Sequence, residues 1–316
     1  MKIIFGGNGN RGVSCLQALL DRDYEIDLVV AHPRQGNRWY ASVSELATKQ
    51  GIKVIEPENP NDKETESFFK SFNADVFVAA GYGKILKQHV IDTPKIMSIN
   101  LHAGKLPEYR GSSPLNWALI NGETSFTLTI IKLDAGVDSG DIILDKTFAI
   151  GINDTIRDLH GITNAEFPSM LVKALDSIAD GSYVLKSQNN LNASYYPLRF
   201  PDDGLVLWDI YTAQQIHNRV RALTEPYPCA FTFFNGRKVK LLSSELSDQS
   251  YFGDPGRIYK RTEKGLLVCA LDRCLWIREA IFDDNGKALH EVLSRYDKLA
   301  TVRSTILANY EQGNLS

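Results

Sequence analysis

Asn100 and His102 stand two residues apart at the end of an apolar run, Ser98-Ile-Asn100-Leu-His102. Side chains two apart on a strand share a face, so the amide and the imidazole would project together. Polar groups so placed cost stability unless paired, and a satisfied pair capping the next turn is the alternative to a catalytic one. The second piece is Leu133-Asp134-Ala-Gly-Val-Asp138-Ser-Gly140-Asp141, with two glycines and three carboxylates in a short loop. Alone it reads as a solvated turn. Together the two pieces fit acyl-type transfer to an amine. Attack on the carbonyl carbon creates an oxyanion, which an Asn amide and a protonated imidazole are suited to stabilise. A carboxylate beside His102 favours its charged form and orients the ring. The amine proton leaves through His102 or an ordered water. No GxSxG elbow is present and the six histidines show no HExxH spacing, so a metal hydrolase is disfavoured and no metal is expected.

These residues need a sheet to hold them. Residues 2–5, 26–31, 52–55, 75–80 and 96–101 read as strands alternating with helix-spaced apolar positions such as Val13, Leu16, Leu19 and Leu20. That alternation implies parallel βαβ units. It puts Asn100 and His102 at the carboxyl end of a parallel strand, where open α/β sheets place their ligand crevices. Phe126, Leu128 and Ile130 alternate with polar residues, and an apolar run resumes at 142–150, which reads as an added β-hairpin. Residues 155–180 read as a long helix. Residues 213–222 read as a short one, followed by strands at 231–234, 239–243, 256–259, 266–270 and 275–279. Asn235-Gly236 between the first two is a hairpin-turn signal. The expected fold is α/β: a Rossmann-like open, mostly parallel sheet with an added hairpin over residues 1–186, a linker at 187–204, and a small C-terminal β-domain over 205–316. That domain would be an OB-like barrel or an open sheet, ending in a helix.

The formal net charge of −3 over 316 residues argues against a domain built mainly to hold polyanions, which needs clustered Lys and Arg. No run approaches the roughly 18 apolar residues of a membrane helix, and the N-terminus carries no secretory pattern. The four cysteines form no CxxC pair and match no zinc spacing, so they are expected to be reduced thiols of a cytoplasmic protein. Gly7-Asn-Gly9-Asn-Arg-Gly12 matches GxGxxG between a strand and a helix. The acidic residue expected at the end of the second strand is missing, because that strand ends Val29-Val30-Ala31-His32. A nicotinamide site is therefore disfavoured, though the turn remains suited to phosphate or carboxylate.

With Asn100-Leu-His102 and Asp138-Ser-Gly140 as its marks, the chain resembles the 10-formyltetrahydrofolate-dependent formyltransferase family. The family's usual continuation after the His is close to Gly-Ser-Leu-Leu-Pro; here it reads Ala103-Gly-Lys-Leu-Pro107. The resemblance implies that Asn100, His102 and Asp138 are catalytic. It implies a formyl donor, N10-formyltetrahydrofolate, held by Tyr82, Gly83, Lys84, Ile85, Leu86, Leu106, Asp134, Val137 and Asp138. It further implies an acceptor side that includes Asn8, Gly9, Asn10, Tyr40, Tyr109, Arg110 and Arg199. Arg110-Gly-Ser-Ser-Pro-Leu-Asn-Trp117, Pro201-Asp-Asp-Gly-Leu-Val-Leu-Trp208 and Pro226-Tyr-Pro-Cys-Ala-Phe231 are similar to the sugar-nucleotide branch, closest to the enzyme acting on UDP-4-amino-4-deoxy-L-arabinose. That enzyme has an Arg where Ser112 stands.

On this resemblance the acceptor is a nucleotide-linked amino sugar (dTDP-, UDP- or GDP-), and the setting a cytoplasmic homodimer serving lipopolysaccharide or O-antigen synthesis, without membrane or nucleic acid. The alternative is methionyl-tRNA formylation, a branch that usually carries a basic insertion after the second strand. Residues 32–46 here are short and only mildly basic. A nicotinamide oxidoreductase and a noncatalytic nucleotide- or RNA-binding module are remoter alternatives.

Overall fold

The computed structural model describes residues 1–33 and 42–311. Seven strands form the first sheet: β1 (Lys2–Gly7), β2 (Glu25–Val30), β3 (Val54–Ile55), β4 (Val76–Ala80), β5 (Met97–His102), β7 (Ser125–Lys132) and β8 (Ile142–Ala149). A two-residue strand, β6 (Arg110–Gly111), lies outside it. The order is β3-β2-β1-β4-β5-β7-β8. The pairs from β3 to β5 are parallel, and the expected hairpin is added beside β5, with β7 antiparallel to β5 and β8 antiparallel to β7. The parallel strands are buried on both faces: Ile3, Ile4, Phe5, Leu28, Val29, Val76, Phe77, Val78 and Ile99 are nearly inaccessible. Such runs have no alternation because helices cover both sides.

The helices are α1 (Gly9–Leu20), α2 (Val43–Lys49), α3 (Lys63–Ser71), α4 (Gln88–Ile91), α5 (Pro114–Asn121) and α6 (Ile156–Asp180). Their starts are chemically marked. The Ser42 hydroxyl accepts from the Glu45 N–H at 3.2 Å, and Asp62 Oδ1 accepts from the Thr65 N–H at 2.7 Å. Each satisfies an otherwise unpaired first-turn donor.

The strand order reverses between β1 and β4, the switch point where such sheets open a crevice. The turns leaving the two strands touch there. The Asn8 N–H donates to the Ala80 carbonyl at 3.2 Å. Gly81, at φ +71°, leaves only 2.9 Å between an added Cβ and the Asn8 carbonyl oxygen, so a side chain is excluded.

Residues 187–204, expected to be a linker, contain ordered structure. The segment holds β9 (Tyr195–Tyr196), which pairs in parallel with β6 as a separate two-stranded ribbon. The physical reason is local: Arg110 fastens the segment, as described below.

Two compact units emerge. The first draws on residues 1–114, 125–149 and 160–197; the second on 115–124, 150–159 and 198 onward. The second unit thus takes two stretches from the region expected to belong wholly to the first domain. Its sheet contains β10 (Ala230–Phe234), β11 (Arg237–Leu246), β12 (Ile258–Thr262), β13 (Gly265–Cys269) and β14 (Cys274–Phe282), in the order β10-β11-β14-β13-β12. All four pairings are antiparallel. Among the described residues β10 and β12 form no ladder, so the sheet is open rather than a closed barrel. Asn235 and Gly236 both take positive φ, the type I′ geometry that their dipeptide predicts. Helix α7 (Ala213–Leu223) packs on this sheet and starts with a reciprocal capping box between Thr212 and Gln215. Two further helices, α8 (Leu289–Val292) and α9 (Val302–Glu311), follow. All four cysteines are free and buried.

Candidate active site

Strand β5 delivers Asn100 and His102 to its carboxyl end, with Asn100 opposite Ala79 of β4 and His102 opposite Thr129 of β7. His102 is 6 % exposed. The loop between β7 and β8 brings Asp138 against both. The Asn100 Nδ2 amide donates to Asp138 Oδ1 at 3.3 Å, and His102 Nδ1 lies 3.5 Å from Asp138 Oδ2. The same Oδ2 accepts the Gly111 N–H at 2.9 Å. One carboxylate therefore holds the amide, the imidazole and the β6 backbone together. The other imidazole nitrogen, Nε2, sits 2.6 Å from the Tyr109 carbonyl, which can only accept. A proton on Nε2 satisfies that carbonyl and leaves Nδ1 facing Asp138.

The loop that carries Asp138 is built for this reach. Asp138 has φ +50°, a conformation that a short polar side chain tolerates better than most. An added Cβ at Gly140 would fall 1.7 Å from the Lys132 carbonyl oxygen, so the loop can fold back on β7 only with glycine there. Gln188 Nε2 donates to the carbonyls of Asp138 and Gly140 at 2.9 and 2.7 Å. Asp134 accepts from the Ser139 hydroxyl and the Gly136 N–H.

Gly104 explains the departure from Gly-Ser-Leu-Leu-Pro. A Cβ on it would stand 2.5 Å from His102 Nε2, 2.8 Å from the Tyr109 carbonyl oxygen and 2.9 Å from Pro114 Cβ. The glycine lets the turn pass under the imidazole, and its carbonyl accepts from the Thr129 hydroxyl at 2.9 Å. Lys105 points elsewhere, to Glu108 at 2.9 Å.

The residues expected around the donor divide by exposure. Tyr82 is buried, its ring tilted on His32 at 5.0 Å. Its hydroxyl has no partner among the described residues, and burial pushes it up to about 12, so it remains a neutral donor at physiological pH. The Gly83 N–H donates to His32 Nε2 at 3.0 Å. Lys84 is committed to the backbone carbonyls of Pro57 and Glu58. Leu86 sits in an apolar cluster with Tyr82, against which Leu133 packs, so the loop after β4 and the stem of the Asp134 loop share one support. Leu106 is buried with Ile131 and Ile142. Ile85 and Val137 are the exposed apolar members, at 74 % and 45 %. A buried unpaired hydroxyl with exposed aliphatic side chains on the two loops suits a flat heteroaromatic ring with polar edges.

Of the acceptor-side residues, Asn8, Gly9 and Asn10 form the turn from β1 into α1 at the switch point. Gly9 takes φ +63° there. Two others face inward. Tyr109 is buried with its ring stacked on Tyr196, centroids 4.9 Å apart. Arg110 is 2 % exposed and donates to Gln188, Asn190 and Tyr195. What these two positions give the site is main chain: the Tyr109 carbonyl, and through β6 the Gly111 N–H. The Arg110 guanidinium is consumed in holding residues 188–195. Arg199 belongs to the second unit, and Tyr40 lies outside the described residues.

Three contributors carried no clear sign in the sequence. His32 follows β2, near where an acidic residue was sought, Gln188 lies in a stretch read as linker, and Arg11 sits inside the glycine-rich turn. Arg11 Nη1 donates to the Leu101 carbonyl at 3.4 Å, tying that turn to the Asn100–His102 strand. For Gln188 no local pattern existed.

The chain matches the formyl transferase model over residues 1–175 and the formyl transferase C-terminal domain model over 200–291. It belongs to the formyl transferase family. The methionyl-tRNA formyltransferase of Ruminiclostridium cellulolyticum is 33 % identical over 311 residues, covering 95 % of this chain and 98 % of that one. Among solved structures, the N-formyltransferase from Helicobacter canadensis, in complex with folinic acid and dTDP-3-aminofucose, superimposes with a TM-score of 0.70 at 22 % identity, over 88 % of this chain and 99 % of that one. WlaRD, a sugar 3N-formyl transferase solved in the presence of dTDP and 5-N-formyl-THF, gives 0.68 at 24 % identity, over 92 % and 98 %. At those identities the likeness is one of fold. As a member of this family the chain is a formyl-transfer enzyme. Its Asn100-Leu-His102 lies within the matched N-terminal region, at the carboxyl end of β5.

Proposed function

We propose that this chain transfers a formyl group from 10-formyltetrahydrofolate to the amine of a nucleotide-linked amino sugar. The observation that carries the chemistry is the convergence of Asn100, His102 and Asp138 at the carboxyl end of β5. When bound, the donor supplies an electrophilic formyl carbon; the rest falls to this chain. Asn100 has one amide N–H toward Asp138 and a second available for the formyl oxygen as charge builds on it, the role worth most in acyl transfer. Asp138 fixes the amide and stabilises positive charge on His102. His102 takes up the proton that the attacking amine sheds, directly or through a water, with the Asp138 carboxylate beside it to stabilise the charge so formed. Tyr82, Ile85, Leu86, Leu106 and Val137 would hold the pterin ring. The Asn8–Asn10 turn, at a helix N-terminus, suits the acceptor's phosphates.

The small acceptor is favoured by the chain's charge. Its net of −3, with sequence pI near 6.1, is opposite in sign to what a tRNA surface attracts. The segment Arg110 to Trp117 also resembles the sugar-nucleotide branch. The second reading, methionyl-tRNA formylation, is favoured by the curated relatives, which bear that name at 29–34 % identity.

The test is mass spectrometry of purified protein with 10-formyltetrahydrofolate and a panel of dTDP-, UDP- and GDP-linked amino sugars, with methionyl-tRNA in a parallel tube. Gain of one formyl group on a sugar establishes the reading and names the acceptor. Formylation of the tRNA alone replaces it with the second reading.

A further inference from the structure

The four free, buried cysteines are not alike. Burial pushes the Cys15 thiol up to about 12 and raises that of Cys229 as well. Cys269 and Cys274 are placed as a pair. They stand directly opposite each other where β13 turns back into β14, the last partners of that ladder. The Ala270 N–H donates to the Arg273 carbonyl at 3.0 Å and closes the turn. Hydrogen-bonded and non-hydrogen-bonded pairs alternate along an antiparallel ladder, so the next pair inward, Cys269 with Cys274, is a non-hydrogen-bonded one. The backbone agrees. The Cys269 N–H donates to the Arg257 carbonyl at 2.9 Å and the Cys274 N–H to the Tyr251 carbonyl at 2.7 Å, each away from the other. Such pairs bring their Cα atoms to about 4.5 Å with both side chains on one face, inside the span of a disulfide. The two side chains share a buried cluster with Leu267, against which Tyr251, Tyr259 and Trp276 pack.

The two thiols also differ chemically. A hydrogen bond from the Cys274 thiol holds Cys269 below the usual thiol range, with burial opposing, and the same bond raises Cys274. The thiolate is the form that reacts with peroxide. Over the Cys269 sulfur lies an exposed residue with no side chain: an added Cβ on Gly253 would stand 3.0 Å from it. We propose that Cys269 and Cys274 are a site of reversible oxidation, closed to a disulfide by a small peroxide. The Cys269 thiolate attacks one peroxide oxygen, the O–O bond breaks, and Cys269 becomes a sulfenic acid while hydroxide leaves and takes a proton. The Cys274 sulfur then attacks the Cys269 sulfur, the S–O bond breaks, and the hydroxide leaves with the Cys274 proton as water. Two thiols and one hydrogen peroxide thus give one disulfide and two waters. Closed, the bond pins the hairpin end to which Tyr251 and Gly256 are tied, the latter through its N–H to the Cys269 carbonyl at 2.8 Å. The site lies within the second unit and does not depend on which acceptor is formylated.

The probe is hydrogen peroxide, added to the folded full chain and then removed. Remaining thiols are alkylated in denaturant, and tryptic peptides are read by mass spectrometry. Cleavage after Lys264, Arg273 and Arg278 puts the two cysteines on separate peptides, 265–273 and 274–278. These two should appear joined through sulfur, with Cys15 and Cys229 still alkylated. The link should form at least about tenfold faster than either of those cysteines is oxidised, because it starts from a thiol with more thiolate. Dithiothreitol should restore all four thiols. Cys274→Ser should stop the reaction at a sulfenic acid on Cys269, trapped by dimedone, and Cys269→Ser should leave Cys274 a thiol. The wild-type readout stands even where a variant folds poorly. No joined peptides from the folded chain, joining only after unfolding in urea, or oxidation of Cys15 or Cys229 at the same rate would each overturn the proposal.

Discussion

His102 and His217 are both buried histidines, one ending β5 in the first unit and the other on α7 in the second, and their neighbours set them apart. His217 Nδ1 lies 3.0 Å from the Ser244 hydroxyl and Nε2 2.9 Å from the Ile152 carbonyl. Burial holds it below its ordinary range, with the backbone contact to Ile152 and others opposing. Beside it Asn218 and Arg221 close on one another and on the backbone of 151–154. There the His217 ring and the Arg221 guanidinium find their partners within the chain, and the result is a bolt between α7 and residues 151–154. His102 has one tight carbonyl contact and one looser contact to a carboxylate, in a cluster whose amide retains a free donor. Burial of polar groups is common to both. What sets the first cluster apart is the Asp138 carboxylate, shared by an amide, an imidazole and a backbone N–H at the carboxyl end of a parallel strand.

Replacing one residue in each cluster sharpens this contrast most. Asn100→Ala should cut formyl transfer by about 10²–10³-fold, the scale of one oxyanion donor, with little change in melting temperature. His217→Ala should do the reverse, losing about 1–3 kcal/mol of stability with turnover near wild type. Steady-state kinetics and chemical denaturation on the same samples decide it; equal turnover in the two variants would erase the distinction.

Gly104→Ala tests whether the imidazole's place depends on the turn beneath it. The added methyl must displace His102 Nε2 or the Tyr109 carbonyl. A displacement of a fraction of an ångström at a reacting group predicts a loss of about tenfold in kcat, below the Asn100 effect. Overpacking should also cost about 1–3 kcal/mol. An alanine variant with full activity would show that the ring position is not critical.

The smallest effect concerns a third histidine. His160 on α6 is pushed down to about 4, first by burial and then by Arg11. Folded, it stays neutral where the unfolded chain begins to take up a proton, near pH 6.5. Its share of stability is therefore fully present above pH 6.5 and is lost as pH falls toward 4, by up to about 1.4 kcal/mol per pH unit. Urea unfolding of wild type and His160→Gln across pH 4.5–7 should show a shallower slope in the variant. Parallel slopes would mean that His160 is not the group responsible.

The sheet was legible because its strands are uninterrupted apolar runs and its turns carry glycine or Asn-Gly. Asn100, His102 and Asp138 were legible as a spacing and a loop composition. The side chains of Tyr109 and Arg110 were not, because sequence reports that an arginine stands near a site but not whether Gln188, Asn190 and Tyr195 have already taken its donors. The role of residues 187–196 was hidden for a related reason. Their contacts are to residues about 50–85 positions away, and the segment has no period of its own. Gly104 was visible only as a deviation; its purpose needed the distance to the imidazole.

The ribbon between β6 and β9 has a practical consequence for anyone dividing this protein into parts. Gln188 is the clamp on the Asp138 loop, and Arg110 is fastened by residues that come after it in the chain. A fragment ending at residue 186 would keep every strand of the first sheet and Asn100, His102 and Asp138, yet lack the Gln188 bonds that latch the aspartate loop. Loss of formyl transfer in such a fragment would report the missing latch as much as the missing second unit. The cut that asks the right question falls after Tyr196.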